Sequence, residues 1–141
     1  MSADYSLMPP MLGLMLLTLM VWLVMFIRRI RYMQANRISA EQMKSPSDTN
    51  QLIPADVNAP AHQLNNLSEL PILFYALCLL LMQQQLVDES QWLLAWGFVL
   101  FRTLQAAIHL TVNVVIWRFG AYFLSCLCLW AMLITALLQL Y

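Results

Sequence analysis

Four stretches of the chain are apolar for long enough to cross a lipid layer, and the polar residues are gathered between and within them in blocks. No charge interrupts Met8 to Ile27, and about 20 helical residues rising ~1.5 Å each cover a hydrocarbon core of ~30 Å. The spacing predicts a first span over about residues 8–33. "MSADYSLMPP" before it is acidic and the arginines follow it, the reverse of a cleaved leader, so the run is read as an anchor. The proline-containing "KSPSDTNQLIPADVNAP" is too polar to enter lipid and too short for a domain, so about 34–59 is expected to be a loop. A second span, about 60–86, begins with Pro60 as first helical residue, passes through polar "AHQLNNLSEL" and becomes apolar from Pro71. The third and fourth spans cover about 91–117 and 119–141, with Arg118 and Gly120 at the corner between them. Such short connections leave an antiparallel arrangement: an all-α integral membrane four-helix bundle, one domain over residues 1–141.

Composition supports lipid as the solvent. With 62% hydrophobic and 10% charged residues the chain has more apolar surface than one core of 141 residues needs. Seven basic and seven acidic side chains cancel, which removes the electrostatic footprint of a nucleic-acid binder. The local excess is Arg28, Arg29, Arg31, Arg37 and Lys44 after the first span, with Arg118 at the last corner and Asp4, Asp88 and Glu89 at the opposite end. The positive-inside rule then predicts a cytoplasmic first loop and both termini outside. Cys78, Cys126 and Cys128 lie in apolar stretches without ligand spacing, so they are read as core thiols and no metal site is expected.

Arg102, Gln105, His109 and Asn113 recur at intervals of three, four and four, the repeat of one helix face, and His62, Asn66 and Glu69 form a second such stripe with Asn65 beside it. Counted from Arg118 and Pro60, His109 and Glu69 both lie nine residues in, at a depth of ~13 Å, and Arg102 lies at ~24 Å. Charges at the bilayer centre cost about 2.5 to 3.5 kcal/mol, so the stripes should face each other or a neighbouring subunit. Gln105 and Asn113 are equally open to a role as interhelical glue, and Arg102 is read as a structural polar residue with an ion pair or carbonyl partners. Glu69, His109, Arg118 and Arg28 together exceed what packing requires and point to a ligand. Pro71 either starts the regular helix or frees the Leu67 carbonyl near that site.

These residues resemble MAPEG, the membrane-associated proteins in eicosanoid and glutathione metabolism, over nearly the whole chain. In "HQLNNLSELPILFYAL", Asn66, Glu69 and Pro71 fit the family's second helix: an arginine, three residues, asparagine, two residues, glutamate, then proline and an apolar run. "RTLQAAIHLTVNVVIWRFGAY" is similar to its third and fourth helices, with Arg102, a second arginine at Arg118 and Tyr122 one turn on. The wording is closest to the family's bacterial branch, which implies a bacterial inner membrane. The resemblance also implies a homotrimer with glutathione as co-substrate, held between subunits at the cytoplasmic leaflet. Arg28, Asn66, Glu69 and Tyr122 would then bind it, joined by His62, Gln105 and Asn113, with Arg118 and His109 as catalytic candidates. Glu69 would take the tripeptide's ammonium group and the arginines its carboxylates.

Two positions depart from the pattern: His62 stands where the family has arginine, and His109 where several eukaryotic members have tyrosine. A mostly neutral imidazole holds a carboxylate less firmly than a bidentate guanidinium, whereas His109 brings a group that can accept or donate a proton. The implied activity is that of a glutathione transferase or peroxidase acting on lipophilic electrophiles or hydroperoxides. Two other classes stay open on the residues alone: a non-catalytic assembly protein of the same fold, and a small transporter subunit with a polar pathway.

Overall fold

The computed structural model describes residues 5–140; Asp4 and Tyr141, which entered the charge pattern and the last span, lie outside the described residues. Among the described residues six α-helices follow one another: α1 (Met8–Ala35), α2 (Pro46–Leu52), α3 (Ala55–Leu67), α4 (Leu70–Gln83), α5 (Glu89–Leu110) and α6 (Val115–Leu140). Four segments among them are long and apolar enough to cross a membrane: α1, the α3–α4 pair as one broken span, α5 and α6.

Helix α1 starts with Pro9 and Pro10 in its first turn, where the missing N–H groups would have had no intrahelical partner. Its buried stripe, Pro10, Met11, Leu14 and Val21, recurs at helical spacing, while Leu12, Leu16, Leu19 and Phe26 point outward. The expected loop over 34–59 is more ordered than its polarity suggested. It contains a 3-10 turn (Ala40–Gln42) and α2. The Ser45 hydroxyl accepts from the Asp48 N–H and the Asp48 carboxylate from the Ser45 N–H, both at 3.2 Å, a reciprocal cap that a short polar helix can support without burying anything.

Helix α3 begins at Ala55, so Pro60 is inside it and not its first residue. Pro60 has no N–H to give the Asp56 carbonyl one turn back; that carbonyl instead accepts from Arg28 Nη1 at 3.3 Å. The span breaks at Ser68 and Glu69, and Pro71 falls in the first turn of α4, so the regular helix restarts there. The other connection also moves. Helix α5 ends at Leu110, seven residues before the expected end at Trp117, and the corner is the turn 111–114. The β-branched run Thr111, Val112, Val114, Val115 weakens helix propensity. Asn113, in the left-handed region at φ 49°, closes the end by donating its N–H to the Ile108 carbonyl at 2.7 Å. Arg118 therefore lies in the first turn of α6, past the corner.

Helix α6 packs along α5 with a stripe of Ala121, Ser125, Leu129, Met132 and Ala136. Small residues permit the approach: a Cβ on Gly97 would stand 3.0 Å from Cys128 Sγ. Helix α1 lies along α3, and α5 touches both. Stacked Phe74 and Phe98, with centroids 4.5 Å apart, fill the centre with Leu14, Leu81 and Met132. Cys78 is buried there, while Cys126 and Cys128 are half-buried, so only one of the three expected core thiols is enclosed within the chain.

Candidate functional site

Arg28 draws one end of the bundle together. Besides the Asp56 carbonyl, it donates from Nη2 to the Leu110 carbonyl at 2.9 Å, an orphan acceptor at the C-terminus of α5. Next to it, Arg29 donates to Asn58 Oδ1 and Asn58 in turn to Asn50 Oδ1, each at 2.7 Å, which fastens α2 and α3 to the basic end of α1. The start of α3, the end of α5 and the start of α6 thus meet beside the basic end of α1.

A cavity of about 590 Å³ opens at this meeting point. Helix α3 contributes His62, Asn65 and Asn66; α5 contributes Gln105 and His109; the turn contributes Asn113; α6 contributes Arg118 and Tyr122. The two predicted stripes do share a space, but by a different geometry. His109 is the penultimate residue of α5, so the expected depth of ~13 Å is replaced by a place at the helix end. Asn113 has left the helix, and its side chain is a turn acceptor that takes Arg118 Nη1 at 2.7 Å. Glu69 is 14 residues from the start of α3, ~21 Å along the broken helix, and so does not share a level with His109. It is exposed at the break and does not line the cavity. Arg28 lines a neighbouring cavity of about 330 Å³ with Asp56, and His109 and Asn113 border both.

Arg102 is eight residues from the end of α5, ~12 Å deep instead of ~24 Å. It is 0% exposed and donates from Nη1 to Gln105 Oε1 at 3.1 Å. Its guanidinium lies against the rings of Phe98 and Tyr122, at 5.3 and 4.9 Å from the centroids. Among the described residues no carboxylate or backbone carbonyl accepts from it, and Nε and Nη2 are without a hydrogen-bond partner. The expected ion pair is thus replaced by two aromatic faces, which satisfy charge but not N–H donors.

One residue of the site was not singled out from the sequence. Gln63, 0% exposed, places Oε1 2.8 Å from His109 Nδ1 and 3.5 Å from Asn66 Nδ2. Its signal is the buried row Ala59, Gln63, Leu67 at intervals of four: a carboxamide on the inward face of α3, where His62 and Asn65, the more conspicuous polar neighbours, are exposed.

Four long apolar spans, with a polar, guanidinium-bearing cavity at one end between α3, α5 and α6, define a small helical membrane protein with a ligand-sized site. The sequence model of the MAPEG family matches residues 7–138, and the chain belongs to that family of membrane proteins in glutathione and eicosanoid metabolism. No curated protein and no solved structure matches the chain.

Proposed function

We propose that the chain is a membrane-bound glutathione-dependent transferase or peroxidase, with glutathione in the cavity between α3, α5 and α6. The observation that carries this reading is the grouping of His62, Asn65, Asn66, Gln105, His109 and Arg118 around one space of about 590 Å³, inside the ~300–1,000 Å³ range of small-molecule sites. The donors suit a peptide with two carboxylates and a thiol. Arg118, steadied by Asn113, provides a permanent positive charge for the thiolate. A thiol of pKa ~8.5 is a few per cent ionised at neutral pH, and a downward shift of ~2 units requires ~2.7 kcal/mol of differential stabilisation. One guanidinium in a partly desolvated cavity is of that order. His109 is the group that takes the thiol proton, and the lipophilic second substrate arrives through the bilayer.

Assembly into a homotrimer completes the site in this reading. Glu69, His62 and Asn65 are exposed polar residues on a span that must lie against lipid or protein, and a second copy of the chain supplies the protein. At such an interface Glu69 meets the ammonium group of the bound tripeptide, and the basic end of α1 faces the cytoplasm.

The test is turnover of a model electrophile by the purified protein in detergent. Arg118→Ala is expected to lower turnover by up to about 100-fold while glutathione affinity falls far less, because the charge acts mainly on the ionised thiol. Equal losses in binding and turnover would reduce Arg118 to a carboxylate anchor. Absence of glutathione binding by the folded wild type would instead favour a non-catalytic role.

A further inference from the structure

We propose that Gln63 is a positioning residue that holds His109 as the Nδ1–H tautomer and so leaves Nε2 as the proton acceptor of the cavity. The proposal rests on the reading of the site given above and adds to it the state in which His109 must act.

Oxygen stands at the shared end of the Gln63 carboxamide. It stands 2.8 Å from His109 Nδ1 and 3.5 Å from Asn66 Nδ2, so it can accept from both. With oxygen facing Nδ1, that ring nitrogen carries the hydrogen and the lone pair is on Nε2. Gln63 is 0% exposed and His109 7%, so water does not compete for the contact. The other end of the carboxamide, Nε2 of Gln63, has no partner among the described residues. The satisfied end of this buried amide is the one that faces the His109 ring.

The proton step balances without a co-reactant. The S–H bond of the bound thiol breaks, its proton forms an N–H bond at His109 Nε2, and the electron pair stays on sulfur as the thiolate beside Arg118. The imidazolium so formed still donates from Nδ1 to Gln63 Oε1, which stabilises the added charge without rearrangement. Its Nε2 proton leaves to the leaving group of the second substrate or to water. The charged and titratable groups near the ring are Arg118 and Tyr122 of α6 and His62 of α3 in the same cavity, and Arg28 of α1 and Asp56 of α3 in the adjoining one.

The chain has two histidines, so nitrogen-15 histidine labelling of the full-length protein, with His62→Asn to identify the second set of signals, reads the tautomer of His109 directly. The wild type is expected to be Nδ1–H. Gln63→Leu, which keeps the bulk and removes the acceptor, should move His109 toward Nε2–H and lower turnover at saturating glutathione by about tenfold or more, with binding nearly unchanged. Gln63→Glu keeps an acceptor and should retain the Nδ1–H form and most of the turnover. A wild-type spectrum of the Nε2–H form overturns the proposal, as does a Gln63→Leu spectrum identical to the wild type. The spectra need no ligand: if the wild type fails to bind glutathione, the proposed function falls and the tautomer still decides the role of Gln63.

Discussion

Arg118 has one hydrogen-bond partner among the described residues, the Asn113 side chain at 2.7 Å, which leaves most of its five donors for an anion. Its neighbours in the proposed site are weaker, and His62 is the clearest case: an exposed imidazole at the cavity where a guanidinium would bind a carboxylate in bidentate fashion. His62→Arg is therefore expected to tighten glutathione binding by ~1 kcal/mol, as a bidentate charge-assisted contact replaces that of an imidazole, measured by calorimetric titration in detergent. Glu69→Gln should do the opposite, weakening binding by roughly 1.5 to 3 kcal/mol while turnover of the saturated protein is nearly preserved. If Glu69→Gln leaves binding unchanged, Glu69 is not the ammonium partner. Residue types and helical spacing picked out His62, Asn66, Gln105 and His109, and the family resemblance added Tyr122; all five line one cavity. Gln63 escaped because spacing alone does not tell an inward carboxamide from the exposed polar residues beside it. Only its packing against α5 makes the difference.

At the scale of elements, the turn between α5 and α6 decides the geometry of the site. Asn113 has two roles there: its backbone takes the left-handed conformation that ends α5, and its side chain holds Arg118. The roles can be separated. Asn113→Gly keeps the backbone at no steric cost and should preserve thermal stability while lowering turnover by about tenfold, through a less ordered guanidinium. Asn113→Ala should lower both, with a stability loss of ~1–2 kcal/mol from the left-handed backbone. If the two variants have the same stability, the turn does not depend on that conformation. This corner was misplaced in the sequence because Thr111, Val112, Val114 and Val115 are apolar enough to continue a membrane helix, while their β-branching and one asparagine carry the stop signal. Likewise, Pro60 reads as a helix start by its type but lies within α3, where Arg28 takes up the carbonyl it leaves unpaired. A compensation from another helix is not visible in local sequence.

Over the whole molecule, the outward faces of α1 from Met8 to Ile27 and of α6 from Val115 to Leu138 are apolar, as expected for contact with lipid, and the polar residues of the cavity collect at the end where Arg28 ties the helices together. The four spans were legible because lipid imposes length and hydropathy on each of them. Subunit contacts would impose nothing comparable on the sequence, and in the proposed trimer exposed Glu69 is the residue that a second copy would meet. A homotrimer in mild detergent is the expected mass by light scattering; a monodisperse monomer that binds glutathione fully would contradict a site shared between copies. Five basic residues between Arg28 and Lys44 also predict that a reporter inserted near Thr49 is cytoplasmic and one fused after Tyr141 external.

The central claim is that this cavity binds glutathione as its thiolate, and ultraviolet difference spectroscopy tests it most directly. Adding glutathione to the purified protein at neutral pH is predicted to produce a saturable thiolate absorbance, well above the few per cent ionisation of the free thiol. Arg118→Ala should remove most of that signal while the tripeptide remains bound. A wild-type protein, folded and assembled, that binds glutathione with no rise in thiolate absorbance would contradict the claim.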